Sequence, residues 1–260
     1  MPKLIGSLQF IGSLDNMSAY KMRGSDKIIL RKKGGPSKKQ IKQDPHFDLT
    51  RRNNKEFGGR SKLAAQIKNA LFPLRSLTDY NITGPLNALL KHIQKLDTEN
   101  EYGKRNVLIS KNPRLLEGFT LNRKNLLESI ISTPFLWSLQ KDQVIIDVPG
   151  LLPGINFIVP GDYSWYQFTA VAGLVPDLYY HEHGYRPKDD RVHFRDLAYS
   201  DWLPVNTPSP AGKLIVTGLP EQKPENCSLM IAVGIAFGTI QRGEIEQVKY
   251  VGAGKVIGMV

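Results

Sequence analysis

Residues 228–240 read Ser-Leu-Met-Ile-Ala-Val-Gly-Ile-Ala-Phe-Gly-Thr-Ile, and their pattern sets the fold class. Odd positions are large: Leu229, Ile231, Val233, Ile235 and Phe237. Even positions Ser228, Ala232, Gly234, Ala236 and Gly238 are small, with Met230 the exception. A period of two is the period of a strand, so the stretch predicts a long strand whose large face lies in a core. Glycine inside a strand only weakens it unless something comes close to the backbone. The small face is therefore expected to meet a close neighbour, either covering helices of the same chain or a second subunit. Ala232, Gly234, Ala236 and Gly238 are accordingly candidate assembly positions.

Around this strand the texture is that of a β domain. Eleven of the 17 prolines fall between Pro134 and Pro224. They separate short apolar runs at 144–148, 156–159, 165–174, 192–197 and 213–217, with further runs at 228–240, 246–251 and 255–260. Short strands punctuated by Pro and Gly predict an antiparallel, immunoglobulin-like β-sandwich over residues 133–260. The chain closes on Lys-Val-Ile-Gly-Met-Val, apolar to its last residue. Free termini are commonly frayed and polar. The final residues are thus expected to form a strand, in their own sheet or on the edge of another chain, and Val256 and Val260 join the assembly candidates.

Period two returns at the N-terminus, where Leu4, Gly6, Leu8, Phe10, Gly12 and Leu14 share one face. Turn signals at Asp15-Asn16 and Gly24-Ser25-Asp26 divide residues 1–33 into a three-stranded β-meander. Ile-Gly-Ser-Leu occurs at 5–8 and again at 11–14, but two copies do not make a solenoid. Helices follow Gly34-Gly35-Pro36. Leu63, Ala64, Ile67, Ala70 and Leu71 mark one amphipathic helix, stopped by Pro73, and Leu86, Leu89, Leu90, Ile93 and Leu96 mark another. Residues 50–57 also read as helical, with their continuation through Gly58-Gly59 left open. A short strand is expected at 106–110. The fold class is α+β, mainly β, with a basic meander-plus-helical module over 1–132 and the sandwich over 133–260.

The charge is confined. Lys21 to Lys68 holds 15 Lys and Arg against 4 Asp and Glu, a difference of +11, which equals the net charge of the whole chain. Within it, residues 31–42 read Arg-Lys-Lys-Gly-Gly-Pro-Ser-Lys-Lys-Gln-Ile-Lys, six cations and no acid. A local excess asks for a local partner. Arg31, Lys32, Lys33, Lys38, Lys39, Lys42, Arg51 and Arg52 are the candidate residues for an anionic partner or nucleic acid. Phosphates would be bound by counterion release, although Tyr20, Phe47 and Phe57 give few aromatics nearby for stacking on bases.

Chemistry is sparse elsewhere. His181-Glu-His183 could place two imidazoles on one strand face, with His193 or Asp189 as a third ligand, but this spacing is permissive and no metal is expected. Gly252-Ala-Gly254-Lys255 lacks the spacing of a phosphate loop. There is no Gly-x-Ser-x-Gly, and the lone Cys227 has no histidine near it in sequence. The aromatic run Tyr163, Trp165, Tyr166, Phe168 reads as core rather than as a sugar-binding face. No catalytic residues and no cofactor are expected. The single cysteine rules out an internal disulfide. No run approaches the ~18 apolar residues of a membrane span. The opening Met-Pro-Lys-Leu-Ile-Gly-Ser-Leu is broken by Gly and Ser and lacks a cleavage site, which speaks against a signal peptide. A cytoplasmic protein is expected.

Lys33-Gly34-Gly35-Pro36, Ile41, Asp44-Pro45, Phe47, Thr50-Arg51, Asn53-Asn54 and Glu56-Phe57-Gly58 together resemble a bacterial family of uncharacterised proteins of similar length. The Tyr20-Lys21 strand and Glu117-Gly118-Phe119 look like the same family. The resemblance implies a fixed basic module rather than a disordered tail, and it carries no activity. The expected function is a non-enzymatic structural or docking protein, a building block that joins other subunits through strand edges and the basic module, as in a virion or other phage-derived or surface assembly. The alternative is a nucleic-acid-binding protein using residues 21–68.

Overall fold

The computed structural model describes residues 10–21, 26–189, 194–220 and 222–260. The fold is mixed α+β with more strand than helix. It divides into two compact units, residues 1–51 and 52–260.

The N-terminal unit contains the expected meander, with β1 Gly12–Leu14, β2 Met17–Lys21 and β3 Ile28–Lys32 paired antiparallel in the order β1-β2-β3. The Leu14↔Met17 pair closes the Asp15-Asn16 turn, whose Asp15 takes a positive φ of 45°. The strand expected over residues 1–9 and the turn at Gly24-Ser25 lie outside the described residues. Helix α1, Lys38–Gln43, follows the Gly-Gly-Pro loop.

Helix α2 runs unbroken from Asp48 to Ala70, so the two helical stretches read in the sequence are one. Helix α3 covers Thr83–Lys95, and a short α4 covers Leu127–Ile130. The expected strand at 106–110 reduces to a single bridge between Val107 and Leu178. Strands β4 Leu136–Gln140 and β5 Gln143–Val148 form a tight hairpin, and β6 spans Trp165–Pro176. A second hairpin joins β7 Tyr179–His181 to β8 Gly184–Arg186. Strands β9 Arg195–Tyr199, β10 Leu203–Pro204 and β11 Gly212–Val216 precede β12, Cys227–Gln241, the strand anticipated from residues 228–240. Strands β13 Glu244–Gln247 and β14 Ala253–Met259 complete the chain.

Strand β12 is central to a six-stranded antiparallel sheet. It pairs with β6 along twelve residues and with β13 and β14 on its other edge, while β9 and β10 pair with β6. A three-stranded sheet, β11-β5-β4, packs on its large-residue face: Ile231, Val233, Ile235 and Phe237 share one core with Val144, Ile146, Leu214 and Val216. The small-residue face carries helices: Met230, Ala232 and Ala236 share a second core with Leu63 and Ile67 of α2 and Leu86 and Leu90 of α3. One strand buried on both faces explains why residues 52–132 and 133–260 belong to one unit. The division read at 132/133 assigned the helices and the sheet that they cover to separate domains. The structural boundary falls at Arg51/Arg52 instead.

Candidate functional site

The basic unit is built on well-capped local structure. Ser37 opens α1 with a capping box: its hydroxyl accepts the Gln40 N–H at 3.2 Å, and Gln40 Oε1 accepts the Ser37 N–H at 2.7 Å. At the other end Arg51 Nη1 donates to the carbonyls of Ile41 at 2.9 Å and Asp44 at 2.8 Å, which satisfies groups a helix end leaves open. Arg51 is therefore a structural clamp. Lys33 is also engaged, donating to the Asp15 carbonyl at 2.9 Å. Arg52 opens the second unit, where its stem lies against the backbone of Gly103. The other candidates, Arg31, Lys32, Lys38, Lys39 and Lys42, are exposed and form no ion pair with a described acid. Lys38 and Lys42 stand four residues apart on a helix without acids, a spacing at which like charges repel.

The six assembly candidates are occupied by the chain itself. A Cβ on Gly234 would lie 2.5 Å from Leu77 Cδ1 and 2.8 Å from Leu74 Cδ2, and one on Gly238 would lie 2.8 Å from Ile245 and 2.9 Å from Trp202. Ala232, Ala236 and Val256 are buried in the helix-side core. Val260 exchanges both backbone hydrogen bonds with Leu229, at 2.8 and 2.9 Å. The close neighbour demanded by the small face is thus the turn carrying Leu74 and Leu77, not a second subunit. The terminal strand lies in its own sheet.

An open edge exists elsewhere. Among the described residues β4 pairs only with β5, leaving the far side of Leu136-Trp-Ser-Leu-Gln140 as a sheet edge. Leu136 is 64% exposed and Leu139 45%, whereas Trp137 is anchored, donating to the Ile257 carbonyl at 3.2 Å and covering Gly258. Edge strands are usually blunted by Lys, Pro or short length. β4 has five residues and no charge. The signal for this hairpin in the sequence is the pair of apolar runs flanking Lys141-Asp142.

The second feature missed in the sequence is a cleft of about 540 Å³ between α2 and the β7–β8 hairpin. Its floor is Gly58, flanked along one helix face by Asn54, Lys55 and Lys62, and its far wall includes Tyr180 and Glu182. Helix-interior glycine costs about 1 kcal/mol relative to Ala. At Gly59 the cause is visible, because a Cβ there would lie 2.7 Å from the Tyr185 ring. At Gly58 a Cβ would meet only open space. Lys62 Nζ donates to the Tyr185 carbonyl at 2.9 Å, and Lys55 Nζ stands 6.0 Å from the centre of the Tyr180 ring.

Behind the cleft a buried polar network fixes the helix. Glu56 accepts from Arg105 Nε and Nη2, both at 2.7 Å, and from the Gly103 N–H at 2.9 Å. Arg60 donates to Gln94 Oε1 at 2.6 Å, and Tyr185 Oη donates to the Arg105 carbonyl at 2.8 Å. Burial alone would raise the Glu56 carboxyl, but the Arg105 and Gly103 hydrogen bonds and the charges of Arg105 and Arg60 outweigh it and hold it below the usual range. Burial pushes the Tyr185 phenol well above its ordinary value.

His181 ends β7, while Glu182 and His183 form the hairpin turn, so the two imidazoles do not share a strand face. His193 lies outside the described residues, among which no group of three metal-ligating side chains occurs. Likewise no described helix is long and apolar enough to cross a membrane. No protein-family model matches the chain, and neither a curated protein nor a solved structure matches it significantly.

Proposed function

We propose that this chain is a non-enzymatic building block of a larger assembly, joining other protein subunits by strand addition at β4, with the basic unit meeting acidic groups on a neighbour. The observation that carries the reading is the β4 edge: five uncharged residues, paired on one side, with two exposed leucines and a tryptophan that locks the strand in place. Such an edge is a template for another strand. The two stacked sheets, read in the sequence as an immunoglobulin-like sandwich, would serve as a rigid platform for it. A virion or surface assembly suits a protein of this kind.

The acid-free array of Arg31, Lys32, Lys38, Lys39 and Lys42 favours one further reading, nucleic-acid binding through counterion release. The two readings separate in one experiment, light-scattering mass and duplex-DNA affinity measured over a salt series. Assembly at β4 gives a mass above that of the monomer and a shallow salt dependence. Nucleic-acid binding by five cations gives a log–log slope of about −4 to −5.

A further inference from the structure

We propose that the α2–hairpin cleft is a ligand site for a mononucleotide, with its planar base on Tyr180 and its phosphate on Lys55 and Asn54. This site lies within the second unit and does not depend on the β4 edge or on the basic array. Three features point to it. The first is the floor: Gly58 is unfavourable in a helix, a Cβ there would meet no described atom within 4 Å, and it lines the cleft with Asn54, Lys55 and Lys62 of the same helix face. A donor-bearing face with a notch in it suits an anion that must come close.

The second is the aromatic wall. Tyr180 rests against the helix-side core and forms a T-shaped pair with Tyr185, with ring centres 5.5 Å apart and planes at 73°. The Lys55 ammonium stands over the ring, 6.0 Å from its centre, and Lys55 and Tyr180 both line the cleft. A flexible lysine can swing from the ring onto a phosphate while a base stacks in its place, and stacking on Tyr is tolerant of base identity. The third is the acceptor. Glu182 lines the same cleft; its carboxylate disfavours a bare polyanion and can accept from ribose hydroxyls or an exocyclic amine. Cation, ring and acceptor together fit a nucleotide better than phosphate alone. The volume of about 540 Å³ is that of a small-ligand pocket.

The test uses the full chain and isothermal titration with AMP, adenosine and inorganic phosphate. AMP is expected to bind in the high-micromolar to millimolar range, and each fragment at least about tenfold more weakly. Gly58→Leu fills the floor and improves helix propensity, so it should weaken AMP at least about tenfold while the melting temperature holds or rises. Lys55→Gln, on the exposed helix face, should weaken AMP several-fold and leave adenosine unchanged, which keeps the test informative should the leucine variant fold poorly. No AMP binding up to about 10 mM, phosphate binding as tightly as AMP, or unchanged AMP affinity in the folded variants would overturn the proposal.

Discussion

Replacing Gly234 by Ala tests whether the small face of β12 belongs to the chain itself. The new methyl would stand 2.5 Å from Leu77 Cδ1, 2.8 Å from Leu74 Cδ2 and 3.3 Å from the Ala253 carbonyl. Leu74 and Leu77 are only 1% and 2% exposed, so neither can yield by swinging into solvent. Overpacking of this kind costs about 1–3 kcal/mol. Stiffening the unfolded chain returns about 0.4–1 kcal/mol. The net expectation is a loss of roughly 1–2 kcal/mol, or about 2–8 °C in melting temperature for a unit of this size. Urea unfolding should show a lower midpoint with an unchanged m-value, and light scattering an unchanged mass. Were Gly234→Ala neutral in stability but reduced in mass, the face would be a subunit contact and the helix-side core as described would be refuted.

Gly58→Ala should do the opposite of Gly234→Ala, raising stability by about 0.4–1 kcal/mol in the same urea assay, since its methyl meets nothing. For Glu56 the folded carboxyl is depressed, so its contribution is present above the unfolded value of about 4.3 and is lost as pH falls through the folded value. Glu56→Gln should therefore cost on the order of 3 kcal/mol at neutral pH, by leaving Arg105 and Arg60 uncompensated, and should flatten the acid limb of a stability–pH curve. Deleting Val256–Val260 removes buried Val256 and Met259 and the pairing with Leu229, so circular dichroism should report an unfolded second unit rather than a dissociated one. Arg51→Ala frees the Ile41 and Asp44 carbonyls at the end of α1 and should speed amide exchange in residues 38–44 without changing the core.

The long strand and both of its faces were legible because a period of two survives burial on either side. What lay against the small face was not, because Gly234 accommodates a leucine of the same chain and a leucine of another equally well. The meander was legible from its turn residues. The helix through Gly58-Gly59 was open in the sequence because two glycines in succession favour a break, which the packing of Tyr185 on Gly59 prevents. The basic array was visible as charge, but not the diversion of Arg51 and Lys33 to backbone carbonyls, which depends on contacts 7 to 18 residues away. The cleft was hidden for a simpler reason: Tyr180 joins Lys55 only in three dimensions, across more than a hundred residues.

The most direct measurement is the solution mass of the wild type beside a Leu136→Lys, Ser138→Lys variant. Both positions are exposed on β4, so the substitutions should change stability by no more than about 0.5 kcal/mol each while charging the edge. Assembly through β4 predicts a wild-type mass that rises with concentration above the 29.2 kDa of one chain, and a variant that stays at that mass with an unchanged melting temperature. A wild type that remains at 29.2 kDa at every concentration, or a variant that assembles as the wild type does, would contradict it.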